Sequence, residues 1–329
     1  MNANTRPFGR TKAGEEVLAV RLASEKLEAT ILTFGAALQD VRLPGVPQAL
    51  TLGGPGFAAY EGPMTYFGTI VGPVANRIGQ AEAKIAGRLY RFPANEGSTL
   101  LHSGDTGIHS RVWTLQSATA NRVLLTLVLE DGEGGFPGRR KLSAEYTVTG
   151  ARLSLHLSAT TDAPTLMNLA QHGYWNLTGA PTIFGQKLTV LADRVLRTTE
   201  QTLPTGEVMP VSGVFDLRRG RVIDGTEGFD HNFCLAPGSR PLTDAAVLEG
   251  GGLRMTIATT EPGLQVYDGR RLETAPFVGH GGQLYHAYAG LALEPQGWPD
   301  APNHAGFPPI TLDPPDTYTQ ITEWRFERG

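Results

Sequence analysis

In Arg152-Leu153-Ser154-Leu155-His156-Leu157-Ser158 apolar and polar residues alternate without a break. Alternate side chains of an extended chain point to opposite faces, so this stretch reads as a strand with one face on a core and one toward water. Runs of the same period recur along the sequence: Val17 to Leu22, Leu27 to Phe34, Ala37 to Leu43, Val123 to Glu130, Lys141 to Val148 and Arg152 to Thr160. Lys187 to Leu191, Leu253 to Thr259, Leu264 to Tyr267 and Tyr318 to Phe326 continue the series. Thr149-Gly150-Ala151 and Ala86-Gly87-Arg88 join neighbouring runs at hairpin length, with a glycine available for positive φ, which makes successive strands mostly antiparallel. No heptad or helical period persists beyond a few turns. The pattern predicts an all-β fold, a large antiparallel β-sandwich with long loops that carry function. With no linker tract and no fixed repeat, residues 1–329 are expected to form one domain.

Composition narrows this picture. Hydrophobic residues make up 40% of the chain and charged ones 18%, enough apolar material for a packed core. The 28 Lys and Arg against 32 Asp and Glu leave a net charge of -4 and no basic stripe, which argues against a nucleic-acid partner. Met1 to Thr11 has no apolar leader core, and no run of about 18 apolar residues appears, so neither export nor a membrane span is expected and the protein is read as cytoplasmic. Cys234 is the lone cysteine, which excludes intrachain disulfides and multi-thiolate metal sites; a small buried hydrophobe is its expected role.

Several segments interrupt the strands with polar residues that a core would not choose. Glu294 follows Leu291-Ala292-Leu293 and leads into Pro295-Gln296-Gly297-Trp298-Pro299-Asp300, a stretch expected to be irregular, so its carboxylate should face a cavity or solvent and is the first candidate for a base. In GPVANRIG, Asn76 and Arg77 offer fixed donors for hydroxyl oxygens; equally, Arg77 could pair with an acidic residue and Asn76 cap a turn. His102 sits in LLHSGDTGIHSRVW with His109, for which a structural role is expected. In NLAQHGYWNL, His172 is followed by Tyr174 and Trp175, and aromatic faces beside a polar centre suit a sugar, whose C–H face stacks while its hydroxyls hydrogen-bond; a core aromatic cluster is as good a reading. Asp230 in GFDHNFCL is a turn former or a ligand for a hydroxyl, and Gln265 in PGLQVYD can donate and accept at once. His156, His231, His280, His286 and His304 are assigned structural roles.

Taken together and in order, ANRI, the LH before a glycine-rich turn, NLxxHxYxNL, GFDHNF, PGLQVY and LEPQxxPDAxNHxxFP resemble the aldose 1-epimerase family, the galactose mutarotases. The resemblance runs from about Ala36 to the end of the chain and includes the tail Asp316-Thr317-Tyr318-Thr319-Gln320. It implies a β-sandwich of the galactose mutarotase type (a supersandwich), a groove for a monosaccharide, and neither metal nor cofactor. It further implies Glu294 as general base, His172 as general acid, His102 assisting at the ring oxygen, and Asn76, Arg77, Asp230 and Gln265 as ligands for sugar hydroxyls. Pro73 and Ser103 depart from the arginine and glycine frequent in relatives, and Trp175 from phenylalanine; these departures are expected to alter the pocket wall and the backbone near His102.

The implied reaction interconverts the α and β anomers of a free aldohexose such as galactose or glucose. A base takes the proton of the C1 hydroxyl, an acid supplies one to the ring oxygen, and closure from the other face reverses both transfers. Three alternatives draw on the same residues: a non-catalytic sugar-binding or sensing protein, a hexose-6-phosphate 1-epimerase using Arg111, Arg139 or Arg140 for the phosphate, and a metal-dependent isomerase with His102, His172 and Glu294 as ligands. Monomer and homodimer are both compatible with the sequence.

Overall fold

The computed structural model describes residues 4–329. Residues 1–3, on which part of the leader reading rests, lie outside the described residues. Among those described there is no α-helix, only three-residue 3₁₀ turns between strands.

The largest sheet has nine strands in the order Thr114–Ala118, Arg122–Leu129, Arg140–Thr149, Arg152–Thr161, Tyr318–Arg328, Leu253–Thr259, Thr243–Gly250, Lys187–Val190 and Arg221–Val222. A six-stranded sheet follows the order Tyr174–Trp175, Leu291–Gln296, Gly263–Tyr267, Asp230–Cys234, Arg194–Thr198 and Pro204–Pro210. Near the N-terminus Thr5–Arg10, Glu16–Ala23, Glu28–Leu32 and Leu38–Arg42 form a third, four-stranded sheet. The strand ladders are antiparallel, as the short glycine turns predict, and the sheets do not close into a barrel.

Alternation explains the packing. Along Arg140–Thr149 every second residue is buried, and Leu142, Ala144, Tyr146 and Val148 face the same core as Leu153, Leu155 and Leu157 of the paired strand. That core also takes Val20 and Ile31 from the N-terminal sheet and Phe233, Leu264, Leu291 and Leu293 from the six-stranded one. Each such side chain contributes about 1.5–3 kcal/mol on leaving water. The buried Tyr146 hydroxyl donates to the Ala36 carbonyl at 3.0 Å, so its burial leaves no polar group unpaired.

On the other face of the six-stranded sheet the alternation turns polar. Glu294 stands opposite Gln265, and Gln265 opposite Asn232, one row across three strands, with Asp230 and Tyr267 paired two residues along. The expectation that the chain becomes irregular directly after Glu294 is corrected here: the strand continues through Pro295 to Gln296, and Glu294 lies inside the ladder. Proline is tolerated there because the neighbour Tyr174–Trp175 pairs only with Leu291 and Ala292, so beyond them this strand is an edge. Asp230, read as a turn former when standing alone, instead starts a strand. Thr5–Arg10 is a strand that the alternation did not indicate, since none of its residues is buried.

Candidate active site

Two loops meet at one edge of the polar sheet face. In the first, Asn76 takes a left-handed φ of 60°, a conformation asparagine tolerates better than most residues, and its Oδ1 accepts the Arg77 backbone N–H at 2.9 Å. The second holds His102 and Ser103 at φ of 50° and 64°. Four hydrogen bonds join the loops. The His102 N–H donates to the Asn76 carbonyl at 2.9 Å, and the Asn76 N–H donates to His102 Nδ1 at 3.1 Å. Ser103 Oγ accepts the Val74 N–H at 2.9 Å and donates to the Val74 carbonyl at 3.1 Å.

His172 arrives from a third direction. Ala170–Gln171 pairs with Ile70–Val71, and the His172 N–H continues that pairing to the Thr69 carbonyl at 2.9 Å. Its ring lies in a cluster of rings: Tyr66 stacks on it at 5.6 Å between centroids, His102 meets it edge-on at 5.3 Å, and Tyr174 lies at 5.0 Å. His172 Nε2 comes within 3.7 Å of Glu294 Oε1, with both residues almost wholly buried.

These groups line a cavity of about 300 Å³. All seven site residues expected from the sequence, Asn76, Arg77, His102, His172, Asp230, Gln265 and Glu294, contribute to its wall. Gln265 Nε2 donates to Asp230 Oδ1 at 2.7 Å, which fixes the amide's orientation and leaves its oxygen free. Both readings of Asn76 and Arg77 hold at once. Asn76 caps its turn, and Arg77 lines the cavity while Nε and one terminal nitrogen donate to Glu96 at 2.6 and 3.0 Å. Arg77 therefore keeps one terminal nitrogen uncommitted.

Burial dominates the electrostatics. It pushes the Glu294 carboxyl up to about 8, helped by the nearby Asp230 and opposed by Arg77. It also pushes His172 down to about 4, and His102 well below the usual imidazole range with further repulsion from His172, His109 and Arg77. Glu294 Oε2 and His172 Nδ1 are buried without a hydrogen-bond partner among the described residues. In the free site near neutral pH, the proton shared by the Glu294 and His172 pair thus resides on Glu294.

His102, His172 and Glu294 offer one ligand atom each within 4.8 Å of one another, so of all the described side chains these could hold a metal ion. Zinc-type bonds of about 2.0–2.2 Å would require these atoms to draw closer together.

Several expectations are corrected. Arg111, Arg139 and Arg140 do not reach this cavity: Arg111 pairs with Glu133, Arg139 with Glu130, and buried Arg140 donates to the carbonyls of Glu130 and Glu133. Trp175 points to the opposite face from Tyr174 and packs against Trp324 and Phe326 in the core. Pro73 and Ser103 do not line the cavity either; Ser103 acts beneath it by tying the His102 loop to Val74. His109 is buried against Tyr66, and its Nδ1 has no hydrogen-bond partner among the described residues. Glu96, Tyr66, Tyr267 and Arg271 line the cavity and were not identified from the sequence. Only for Glu96 was there a signal, the need of buried Arg77 for an acidic partner.

Comparison with known proteins extends this geometry. A family model described as aldose 1-epimerase matches residues 19–325. The chain is 36% identical over 334 residues to the galactose mutarotase of Mus musculus, covering 97% of each. It is 34% identical over 333 residues to that of Homo sapiens, again covering 97% of each. With the aldose 1-epimerase of Escherichia coli (strain K12) it shares 31% identity over 317 residues, 90% of this chain and 91% of that one. Among solved structures, a GalM/aldose epimerase homologue from C. elegans superposes with a TM-score of 0.88 at 29% identity, covering 94% of this chain and 98% of the other. A galactose 1-epimerase from Lactobacillus acidophilus NCFM does so with 0.84 at 27% identity, covering 99% and 98%.

Proposed function

The chain belongs to the aldose 1-epimerase family and is an isomerase that interconverts the anomers of an aldose, and from this premise we propose that Glu294 and His172 are its acid–base pair, acting on a free monosaccharide held by Asn76, Arg77, His102, Asp230 and Gln265. One observation carries the assignment: a buried carboxylate and a buried imidazole approach to 3.7 Å on the wall of a sugar-sized cavity. The C1 hydroxyl oxygen and the ring oxygen are bonded to the same carbon, so two groups this close can serve both.

The chemistry of the two oxygens assigns the roles. A ring oxygen has no hydrogen and can only accept, so the group facing it must be a donor, while the C1 hydroxyl can donate to a carboxylate. A sugar seated in this way favours ionised Glu294 and protonated His172, so that the one proton held between the two groups rests on His172. Glu294 then removes the C1 hydroxyl proton, the electron pair forms the aldehyde carbonyl as the C1 to ring-oxygen bond breaks, and His172 protonates the departing oxygen. Rotation about C1–C2 presents the other aldehyde face. On closure His172 recovers its proton and Glu294 returns one to O1, so neither group is consumed. Each placed proton transfer supplies about 10² to 10⁴ in rate. His102 assists by donating to the sugar.

Polarimetry of freshly dissolved α-galactose and α-glucose tests this reading, with accelerated decay toward equilibrium the expected result. Binding with no acceleration would leave a sugar-sensing protein instead. The convergence of His102, His172 and Glu294 also fits a metal-dependent isomerase, and full activity after exhaustive chelation is the outcome that separates our reading from it. We read the 329 residues as one domain, in line with an apolar cluster that runs from Val20 to Phe326, and the protein as cytoplasmic; among the described residues no helix is long and apolar enough to cross a membrane.

A further inference from the structure

A second cavity of about 330 Å³ lies past the end of the strand that carries Glu294, and it shares no lining residue with the first. Its wall includes Glu261, which sits where the chain crosses from Leu253–Thr259 of the nine-stranded sheet to Gly263–Tyr267 of the six-stranded one. The backbone of this crossing is firmly held. Thr260 N–H donates to the Ile321 carbonyl at 3.0 Å, Glu261 N–H to Thr259 Oγ1 at 3.2 Å, and the Pro262 carbonyl accepts from Leu235 N–H at 2.8 Å and Trp298 Nε1 at 3.0 Å.

The Glu261 side chain is the anomaly. The residue is 6% exposed, yet among the described residues no hydrogen bond or ion pair reaches its carboxylate. Among the described residues no other charged side chain lines the cavity. The titratable neighbour, Tyr318, is committed elsewhere: its hydroxyl accepts the Leu169 N–H at 3.3 Å and donates to Gln320 Oε1 at 3.0 Å. Burying a carboxyl with neither a cation nor a donor is unfavourable, and a cation of matching size would reverse that. The buried lining holds Met167, Ile310, Pro262 and Pro308 together with Asn168, whose amide is committed to the Gly297 backbone, while Thr317 and Thr319 of the lining are exposed. One carboxylate in such a setting cannot supply the six to eight oxygens that calcium prefers, but it suits a charged head on a short hydrocarbon stem.

We propose that this cavity is a second binding site, separate from the sugar pocket, for a small primary ammonium ligand whose –NH₃⁺ pairs with Glu261 while its alkyl stem lies against Met167, Ile310 and Pro262. Burial alone pushes the Glu261 carboxyl up to about 8, so at neutral pH it is mostly protonated and ionises when the ammonium arrives. Binding therefore releases a proton.

The test is calorimetric titration of the full chain with n-butylammonium chloride at neutral pH, in two buffers of different ionisation enthalpy. The expected result is saturable one-to-one binding with proton release, unaffected by saturating galactose. Glu261→Gln should weaken it by at least about tenfold while mutarotation stays at the wild-type rate, since a buried charge partner is lost and the sugar pocket is untouched. Thr317→Trp, on the exposed part of the lining, should block entry and gives a second reading should Glu261→Gln fold poorly. n-Butanol, with the same stem and no charge, should not saturate. Absence of saturation in the wild type, equal binding by both variants, competition by galactose, or equal binding of butanol would each overturn the proposal.

Discussion

The backbone N–H of Asn76 donates to Nδ1 of His102 at 3.1 Å, and that bond decides which ring nitrogen carries the proton. A backbone N–H can only donate, so Nδ1 must be unprotonated, and burial keeps the ring from taking up a second proton. His102 is thereby a neutral imidazole with an Nε2–H donor. Nitrogen-15 NMR should find this single tautomer at neutral pH and on down through the range where an ordinary imidazole takes up its second proton. His102→Gln, whose amide N–H₂ sits near the place of Nε2–H, should keep more activity than His102→Asn, whose shorter side chain does not reach; a doubly protonated ring near pH 6, or the opposite order of the variants, would count against this tautomer.

Glu294→Gln keeps the size of the side chain and removes its basicity, so turnover should fall by about 10² or more with sugar still bound. The same change should raise thermal stability. Because the folded pKa of Glu294 is raised to about 8, its contribution to stability is fully present below the unfolded carboxyl value of about 4.3 and is lost as pH climbs through 8, where an ionised carboxylate is left buried. Glutamine has nothing to ionise. The melting temperature of the variant should therefore exceed that of the wild type by a margin that grows with pH, and a constant or shrinking margin would show that Glu294 does not titrate in this range.

The pair needs one proton between its two members. Below about 4 both Glu294 and His172 are protonated, and above about 8 neither is, so kcat/KM should form a plateau between these limits and fall on both sides. The acid limb then belongs to His172 in the free enzyme and the alkaline limb to Glu294, the reverse of what ordinary carboxyl and imidazole values would suggest. In His172→Asn the rate should drop by about 10² and the acid limb should vanish, which a pH series of polarimetric rates can follow. A profile that kept its acid limb would move the acid role away from His172.

Legibility in the sequence tracked how local each cause was. Arg140–Thr149 and Arg152–Thr161 were recognisable because one face of each meets a core and the other water, a contrast written into every second residue. Thr5–Arg10 has no such contrast, and Pro295 obscured a strand because its tolerance depends on a neighbouring strand whose pairing ends at Tyr174, opposite Ala292. At the site, the seven residues recognised through their motifs all reach one cavity. Glu96, Tyr66 and Arg271 could not be found that way, since each lines the cavity through tertiary placement alone. Ser103 was noticed as a departure, but its role appears only in the pairing of its hydroxyl with Val74.

That pairing can be tested by stability. Ser103→Ala removes two buried hydrogen bonds at Val74 and keeps a side chain at positive φ, so it should cost about 1–3 kcal/mol in urea unfolding. Ser103→Gly loses the same bonds but recovers about 1 kcal/mol because glycine occupies left-handed conformations freely. Glycine should be the milder change. If alanine were the milder of the two, the backbone conformation at Ser103 would not be costing what its φ implies.

Glu96 offers a way to probe sugar binding apart from chemistry. It grips Arg77 through two hydrogen bonds at 2.6 and 3.0 Å, and this fork aims the remaining guanidinium nitrogen without itself being part of the acid–base pair. Glu96→Gln can accept only one of the two bonds with its carbonyl oxygen, so Arg77 should lose orientation while Glu294 and His172 keep their approach. An increase in KM of about three- to tenfold with kcat within about twofold is the expected signature of lost uniform binding. Arg77→Lys should show a larger KM effect, because a single ammonium cannot hold Glu96 through a fork and reach a hydroxyl as well. Were kcat to fall as far as KM rises, Arg77 would be stabilising charge in the ring-opening step, and the division between holding the sugar and opening it would have to be redrawn around the guanidinium.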